Sequence, residues 1–321
     1  MKYILIMLFS LPLINTVNAQ NRNIYFLKNN GKLVSIKDSA DFIRIIQEPD
    51  SGTTYYKVME YYPDEVQKFI GTVSVFEPHL IYEGANIAFH KNGKRAEVIT
   101  YQKGVPSGSA YYFYPDGKLK KTLEYGNEGM KRMMGYQNVK YKVTNYFDTA
   151  GVQLVKDGNG YTIETVNNDK ITEEGGYVSG VRNGLWKTTN SGNSLYYEDI
   201  YNNGEFVSGK NFSPDGKVIV YTQKDVLPKF KGGINQFSQF LSYHIKYPSD
   251  AKQDGITGRV LLSFVVEKDG TLTNIKVLNS IYPSLDEEAL RVLHRSPKWE
   301  PGMQNGVPVK VQYTIPIVFK L

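Results

Sequence analysis

Two hydrophobic patterns divide the chain. From about Ile24 to Tyr221, apolar and aromatic residues come in short alternating runs separated by turn signals, the period of half-buried strands. Ile87-Ala88-Phe89-His90 leads into Asn92-Gly93-Lys94, and Tyr111-Tyr112-Phe113-Tyr114 leads into Asp116-Gly117-Lys118. These turns lie 24 residues apart, as do Tyr101 and Tyr125, which close the following strands. Asn and Gly accept the positive φ that tight hairpin turns demand. A fixed period therefore predicts an array of hairpins. Tyr61-Tyr62-Pro63-Asp64 opens an earlier copy with a degenerate turn. Tyr177 to Gly180 runs on to Gly184, Leu185 and Trp186, and Tyr201 to Gly204 precedes Gly209. Asp215-Gly216-Lys217 precedes a strand ending at Tyr221. One hairpin cannot bury its own face, so the aromatics read as a seam between stacked neighbours, Trp186 among them; an aromatic face for a ligand is the alternative. Asp41 to Ile46 fits a strand or a short helix, and Met130 to Asn159 is weakly patterned.

After Gln223 the pattern changes. Val226 to Gly233 reads as an extended linker ending in a turn. Ile234, Phe237, Leu241 and Ile245 have helical spacing, and Tyr247-Pro248 stops that helix. Arg259 to Glu267 is a predicted strand with Val260, Leu262, Phe264 and Val266 on one face. Lys268-Asp269-Gly270-Thr271 turns it back into Leu272 to Ser280. Ser284-Leu285-Asp286-Glu287 reads as a capping box, opening a helix with Leu285, Ala289, Val292 and Leu293 on one stripe. Ser296-Pro297 ends that helix, and Trp299 is a core plug. Val307 to Leu321 is one long final strand in which Val309, Val311, Tyr313, Ile315, Ile317 and Phe319 alternate with Lys310, Gln312 and Thr314. The expected fold is α+β: an antiparallel three-stranded sheet with two helices on one face, preceded by a mainly β hairpin region. Pro316 places the last strand at a sheet edge, where another chain can add a strand.

Composition removes several alternatives. The formal charge of +6 is spread without a Lys/Arg block, and loss of Lys2 with a leader would leave +5, so a nucleic-acid groove is not indicated. With no cysteine there is no disulfide, thiolate nucleophile or lipid-attachment site. The 25 tyrosines and 15 phenylalanines favour sheet. Lys2, the apolar run Tyr3 to Ile14 and Val17-Asn18-Ala19 form a signal peptide, with the mature chain expected from Gln20 in the periplasm. Retention of the leader would tie the protein to the inner membrane. His79, His90, His244 and His294 have no metal-ligand spacing. No nucleophile elbow, phosphate loop or dinucleotide fingerprint occurs, so neither catalytic nor cofactor or metal residues are assigned. Glu287-Glu288, in the first turn of a helix, reads as a dipole and cap feature rather than an acid/base pair.

The hairpin units resemble MORN-type repeats over about 150 residues. The resemblance at the C-terminus is more specific. Tyr247-Pro248, Gly255-Ile256-Thr257-Gly258-Arg259-Val260, Phe264-Val265-Val266 with Asp269-Gly270, Leu285-Asp286-Glu287-Glu288-Ala289, Pro297 to Gly302, and Pro316 to Phe319 occur in order. This series, over about Val226 to Leu321, resembles the TonB C-terminal domain family, in the form found among Bacteroidetes-type energy transducers. The resemblance implies a partner: an outer-membrane TonB-dependent transporter whose short extended segment, the TonB box, pairs with the last strand. It implicates Tyr247, Pro248, Val309, Lys310, Val311, Gln312, Tyr313 and Thr314 as partner-binding residues. Lys246 stands where many members have Gln before Tyr-Pro. TonB proteins have a membrane anchor and a Pro-rich linker, which here give way to a cleavable leader and hairpins. Inner-membrane motor proteins become partners only if the leader is retained.

The expected organisation is a signal peptide at 1–19, hairpin repeats at 20–222, a linker at 223–233 and a TonB C-terminal-like domain at 234–321, with the segment from Pro228 folding alone. The leading functional expectation is a non-enzymatic periplasmic docking protein contributing to energy transduction for transport. The alternative is a structural protein whose repeats bind envelope or peptidoglycan and whose sheet domain makes a homodimer by strand pairing.

Overall fold

The structure, a computed structural model, describes residues 22–50, 52–126, 140–166, 171–190 and 195–321. The expected leader lies outside the described residues. The chain forms two compact units, one ending at Gly158 and one running Asn159–Leu321.

The first unit is an antiparallel meander. Its strands are β1 (Arg22–Leu27), β2 (Phe42–Gln47), β3 (Tyr56–Tyr61), β4 (Gln67–Val75), β5 (Ile81–Phe89), β6 (Arg95–Gln102), β7 (Val105–Pro106), β8 (Gly108–Phe113), β9 (Leu119–Tyr125), β10 (Tyr141–Phe147) and β11 (Gln153–Lys156). Each pairs with its chain neighbour, except that β8 pairs with β6 past the short β7. The ambiguous segment Asp41 to Ile46 is thus strand β2, and the weakly patterned stretch holds β10 and β11.

One turn recurs along this unit. The His90 amide donates to Lys94 O (2.8 Å), the Tyr114 amide to Lys118 O (2.9 Å) and the Tyr62 amide to Val66 O (2.8 Å). In the degenerate turn Glu65 (φ 68°) takes the left-handed position that Gly93 (φ 79°) and Gly117 (φ 91°) hold elsewhere. Successive turns are tied together: Asn92 Nδ2 donates to Pro115 O (2.6 Å), and the Tyr114 hydroxyl to Phe147 O (2.9 Å). Rings meet across the strands, Phe69 with Tyr82 at 5.6 Å and Tyr82 with Tyr101 at 5.3 Å. One apolar cluster is built on Ile46, Val58 and Val73, and Ile99, Leu123, Val143 and Val155 are buried further along the unit. Buried beside the cluster, Glu60 receives Arg44 at 2.6 Å and Lys68 at 2.7 Å.

The second unit begins with a similar meander of β12 (Asn159–Val166), β13 (Ile171–Val178), β14 (Val181–Asn190), β15 (Leu195–Asn202), β16 (Glu205–Phe212) and β17 (Val218–Tyr221), paired in that order. Large rings lie flat on glycines. A Cβ on Gly175 would stand 2.3 Å from the Trp186 ring, and one on Gly209 2.3 Å from the Tyr221 ring. Glycine there lets a ring cover the backbone of the next strand. The Tyr221 hydroxyl donates to buried Asp199 (2.5 Å), which also pairs with Lys224 at 2.6 Å.

The C-terminal part adds β18 (Asp225–Val226), α1 (Gly233–His244), α2 (Ser249–Gln253), β19 (Gly258–Val266), β20 (Leu272–Asn279), α3 (Pro283–His294), β21 (Gly302–Gln304), β22 (Val307–Val309) and β23 (Val311–Phe319). The main sheet has the order β20-β19-β23. Val260, Leu262, Phe264 and Val266 are fully buried, packed with Phe237 of α1 and with Leu285, Ala289 and Leu293 of α3. Trp299 plugs this core as expected, 5.2 Å from the Phe264 ring.

Four features differ from the sequence reading. The short helix α2 was not foreseen. The expected linker is stitched into a second sheet, β18-β21-β22, and Lys229 and Glu300 exchange backbone bonds of 2.8 and 3.1 Å. The capping box does not form: the helix starts earlier, with Pro283 in its first turn, and the Ser284 hydroxyl donates to Asp250 instead (2.9 Å). Pro is pre-set for the first helical turn and itself carries none of the unpaired amides there, which lets the helix start one residue ahead of Ser284. The long final strand is broken at Lys310, because Asn305 (φ 47°) and Gly306 (φ 76°) fold its first part into the hairpin β21–β22.

Candidate functional site

Strand β23 pairs along its whole length with β19, from Gly258↔Phe319 to Val266↔Val311. Among the described residues it has no partner strand on its other side within this sheet. Its odd-numbered residues face the core, while Gln312, Thr314, Pro316 and Val318 are exposed. Helix α1 stands beside this open edge. Between them lies a groove of about 490 Å³ lined by Ile234, Phe237, Leu241 and Ile245 of α1 and its end, and by Ile315, Pro316 and Val318. Ile234 is 69% exposed and Val318 45%, so the groove walls offer apolar surface that the domain's own core does not use.

The residues assigned from sequence divide into groups. Val311, Gln312, Tyr313 and Thr314 all lie on β23. Tyr313 points inward, with its ring 5.9 Å from Phe264 and 5.8 Å from Trp299. Gln312 donates to Ser263 Oγ (3.2 Å). Val309 belongs to β22, opposite Gly302, and Lys310 sits at the break with its ammonium 3.0 Å from Glu267. Tyr247 packs edge-on against Phe319 at 5.9 Å, and its hydroxyl donates to Ile256 O. Pro248 precedes α2 in an extended conformation. The geometry therefore joins β23 with α1 and gives Tyr247 and Pro248 the work of shaping the turn between α1 and α2.

A charged clamp holds that turn. Glu288 on α3 is 9% exposed; it accepts the Lys246 amide (2.6 Å) and both the Nε and the terminal nitrogen of Arg291 (2.6 Å each). Arg291 also donates to His244 O (2.7 Å). Burial pushes the Glu288 carboxyl up, but the Arg291 and Lys246 bonds outweigh it and hold the group below its ordinary value. Glu288 is thus a structural anchor that fixes the end of α1 beside the edge strand. Sequence reasoning found the apolar positions of α1 but not their place beside the edge. The stripe alone carries no signal of it: of Ile234, Phe237, Leu241 and Ile245, only Phe237 is buried, and that emerges in the structure.

No group of three or more His, Cys, Asp or Glu residues able to hold a metal occurs among the described residues. No helix among them is long and apolar enough to cross a membrane.

Residues 243–321 match the family described as the Gram-negative bacterial TonB protein C-terminal. A solved structure, the NMR solution structure of the Helicobacter pylori TonB-CTD, is similar at 32% identity over 28% of this chain and 85% of its own, with a TM-score of 0.22. No curated protein matches the chain. The family match points, at a general level, to TonB-like energy transduction, contact with outer-membrane TonB-dependent transporters and a place in the cell envelope.

Proposed function

We propose that the protein is a periplasmic TonB-like docking protein, non-enzymatic, that binds the TonB box of outer-membrane transporters by strand addition to the open edge of β23. The observation that carries this reading is the position of that edge. It belongs to the segment similar to the TonB family, it lacks a second partner strand among the described residues, and it borders an apolar groove. An unpaired edge recruits an extended chain, and an adjacent groove takes that chain's alternate side chains. The hairpin array, read as a MORN-like scaffold, carries a docking domain of the Bacteroidetes energy-transducer type.

Pro316 sets the phase of the edge. A proline in a sheet turns its missing donor outward, so Gln312, Thr314 and Val318 present their backbone groups to the incoming strand, while Val311, Tyr313, Ile315 and Ile317 bond β19. This moves the docking segment toward the C-terminus, from Val309–Thr314 to Gln312–Val318.

Calorimetric titration with a synthetic TonB-box peptide tests the reading. Thr314→Pro removes an outward donor and should weaken the peptide at least tenfold. Gln312→Ala keeps the ladder and should cost less than about 1 kcal/mol, the scale of one neutral hydrogen bond. Matched melting curves control for folding. A folded Thr314→Pro chain that binds like the parent sinks the proposal.

A further inference from the structure

One face of the β12–β17 sheet is unusually self-complementary. The register aligns Ile163, Glu174, Lys187, Glu198, Lys210 and Val220 in a single row across six strands. Read in either direction, the row has an apolar end, four charges of alternating sign and an apolar end. In-sheet pairing of opposite charges explains the alternation. It does not explain the apolar residues around it. Ile163 is 58% exposed and Val220 67%; in the next row, the cross-strand pair Leu185 and Ile200 is also exposed.

The C-terminal part leaves this face open. Its hairpin β21–β22 touches the opposite face, where Asn305 O accepts from Asn211 Nδ2 (3.2 Å) and Asn211 is buried. Trp186, Asp199 and Tyr221 are buried on that same opposite side.

We infer that this face binds a second copy of the chain, sheet against sheet, about a two-fold axis running along the strands between β14 and β15. Such an axis lays each strand over its mirror position in the row. Glu174 meets Lys210 of the other copy, Lys187 meets Glu198, and Ile163 meets Val220. In the neighbouring row Leu185 meets Ile200. Every charge meets an opposite charge and every apolar end an apolar end, which is the isologous matching that a two-fold dimer requires. Six strands spaced about 4.8 Å apart and five residues at about 3.3 Å give roughly 480 Å² of flat face per copy. That is below the roughly 800 Å² per partner of a standard interface, so the dimer should be weak and reversible.

Sedimentation velocity of the full chain over a concentration series tests the inference, with two paired variants. Lys187→Glu with Lys210→Glu makes the row uniformly acidic; Glu174→Lys with Glu198→Lys makes it uniformly basic. The parent should dimerise, each variant alone should be monomeric, and an equimolar mixture of the two should dimerise again. A parent that is monomeric throughout, variants that still dimerise, or a mixture that stays monomeric would each overturn the proposal; the first outcome would leave the face to a different partner. Should a charge variant fail to fold, cysteines supply the second test, since the chain has none of its own. Chains carrying Leu185→Cys and Ile200→Cys, mixed under mild oxidation, should crosslink to each other in excess over crosslinking to themselves. Equal or absent crosslinking would contradict the geometry.

Discussion

The C-terminal domain and the hairpin sheets keep different interiors. Around β19 the buried face is aliphatic and aromatic, with Val260, Leu262, Phe264, Val266, Leu285 and Leu293 all at 1% exposure or less. A sheet with helices on one face has a dry layer between them, and branched aliphatic side chains fill it. Among the described residues, the β12–β17 sheet has no helix packed along it. It buries Trp186 and Tyr221 flat on glycines, and it buries Asp199 and Asn211 on the same side. Glu60 in the first unit, held by two cations, follows the same habit. A helical layer thus lets hydrophobic burial dominate; in the β12–β17 sheet, rings, glycines and an ion pair take a larger share of the task.

The contrast can be broken at either end. The largest effect should come from Leu262→Ala. A fully buried leucine cut to alanine typically costs about 2–5 kcal/mol, and urea unfolding of the full chain should show the C-terminal part losing that much while the first unit is unchanged. A loss under about 1 kcal/mol would mean that the aliphatic layer is not what holds the domain. Gly209→Ala should come next. Its Cβ would press on the Tyr221 ring, and overpacking of this kind costs about 1–3 kcal/mol. Thermal melts followed by tyrosine fluorescence would report it, and a neutral result would mean that ring and glycine are not matched.

A smaller effect sharpens the comparison through its sign. Burial raises the Glu97 carboxyl above its ordinary value in the first unit. The folded array therefore favours the neutral acid, and the stability this group supplies is present below pH of about 4.5 and lost as pH rises through the folded value. Glu288 is held low, so its contribution is present above the ordinary value and lost as pH falls through the folded one. At neutral pH, Glu97→Gln should raise the melting temperature of its unit and Glu288→Gln should lower that of the C-terminal part. Melting temperatures at pH 4 and pH 7 check both, and like signs at pH 7 would contradict the assignment.

Sequence carried the C-terminal domain furthest because its periods are undiluted. The 260–266 alternation and the Leu285–Leu293 stripe each served one buried face, and both elements were predicted nearly to the residue. The hairpin array was legible through its turns, Asn92-Gly93 and Asp116-Gly117 above all. Strand β11 escaped because only Val152 to Lys156 lies between the turns at Asp148–Gly151 and Asp157-Gly158, too short a run to display a period. The break at Lys310 was missed because Val307 to Phe319 alternates without interruption, and only the Asn305-Gly306 turn betrays the change of sheet. The apolar α1–β23 groove was hidden for a related reason. A helix stripe looks the same whether it fills a core or waits beside an edge, and only the burial of Phe237 against the exposure of Ile234 separates the two.

Docking by strand addition requires that the open edge of β23 accept a strand. Amide hydrogen exchange by NMR, with and without a TonB-box peptide, addresses it residue by residue. Strand addition predicts new protection at Gln312, Thr314 and Val318, no new protection at β20, and shifted methyl signals from Ile234 and Leu241. New protection along β20 instead, or protection confined to the Tyr247–Pro248 turn with β23 unchanged, would contradict it.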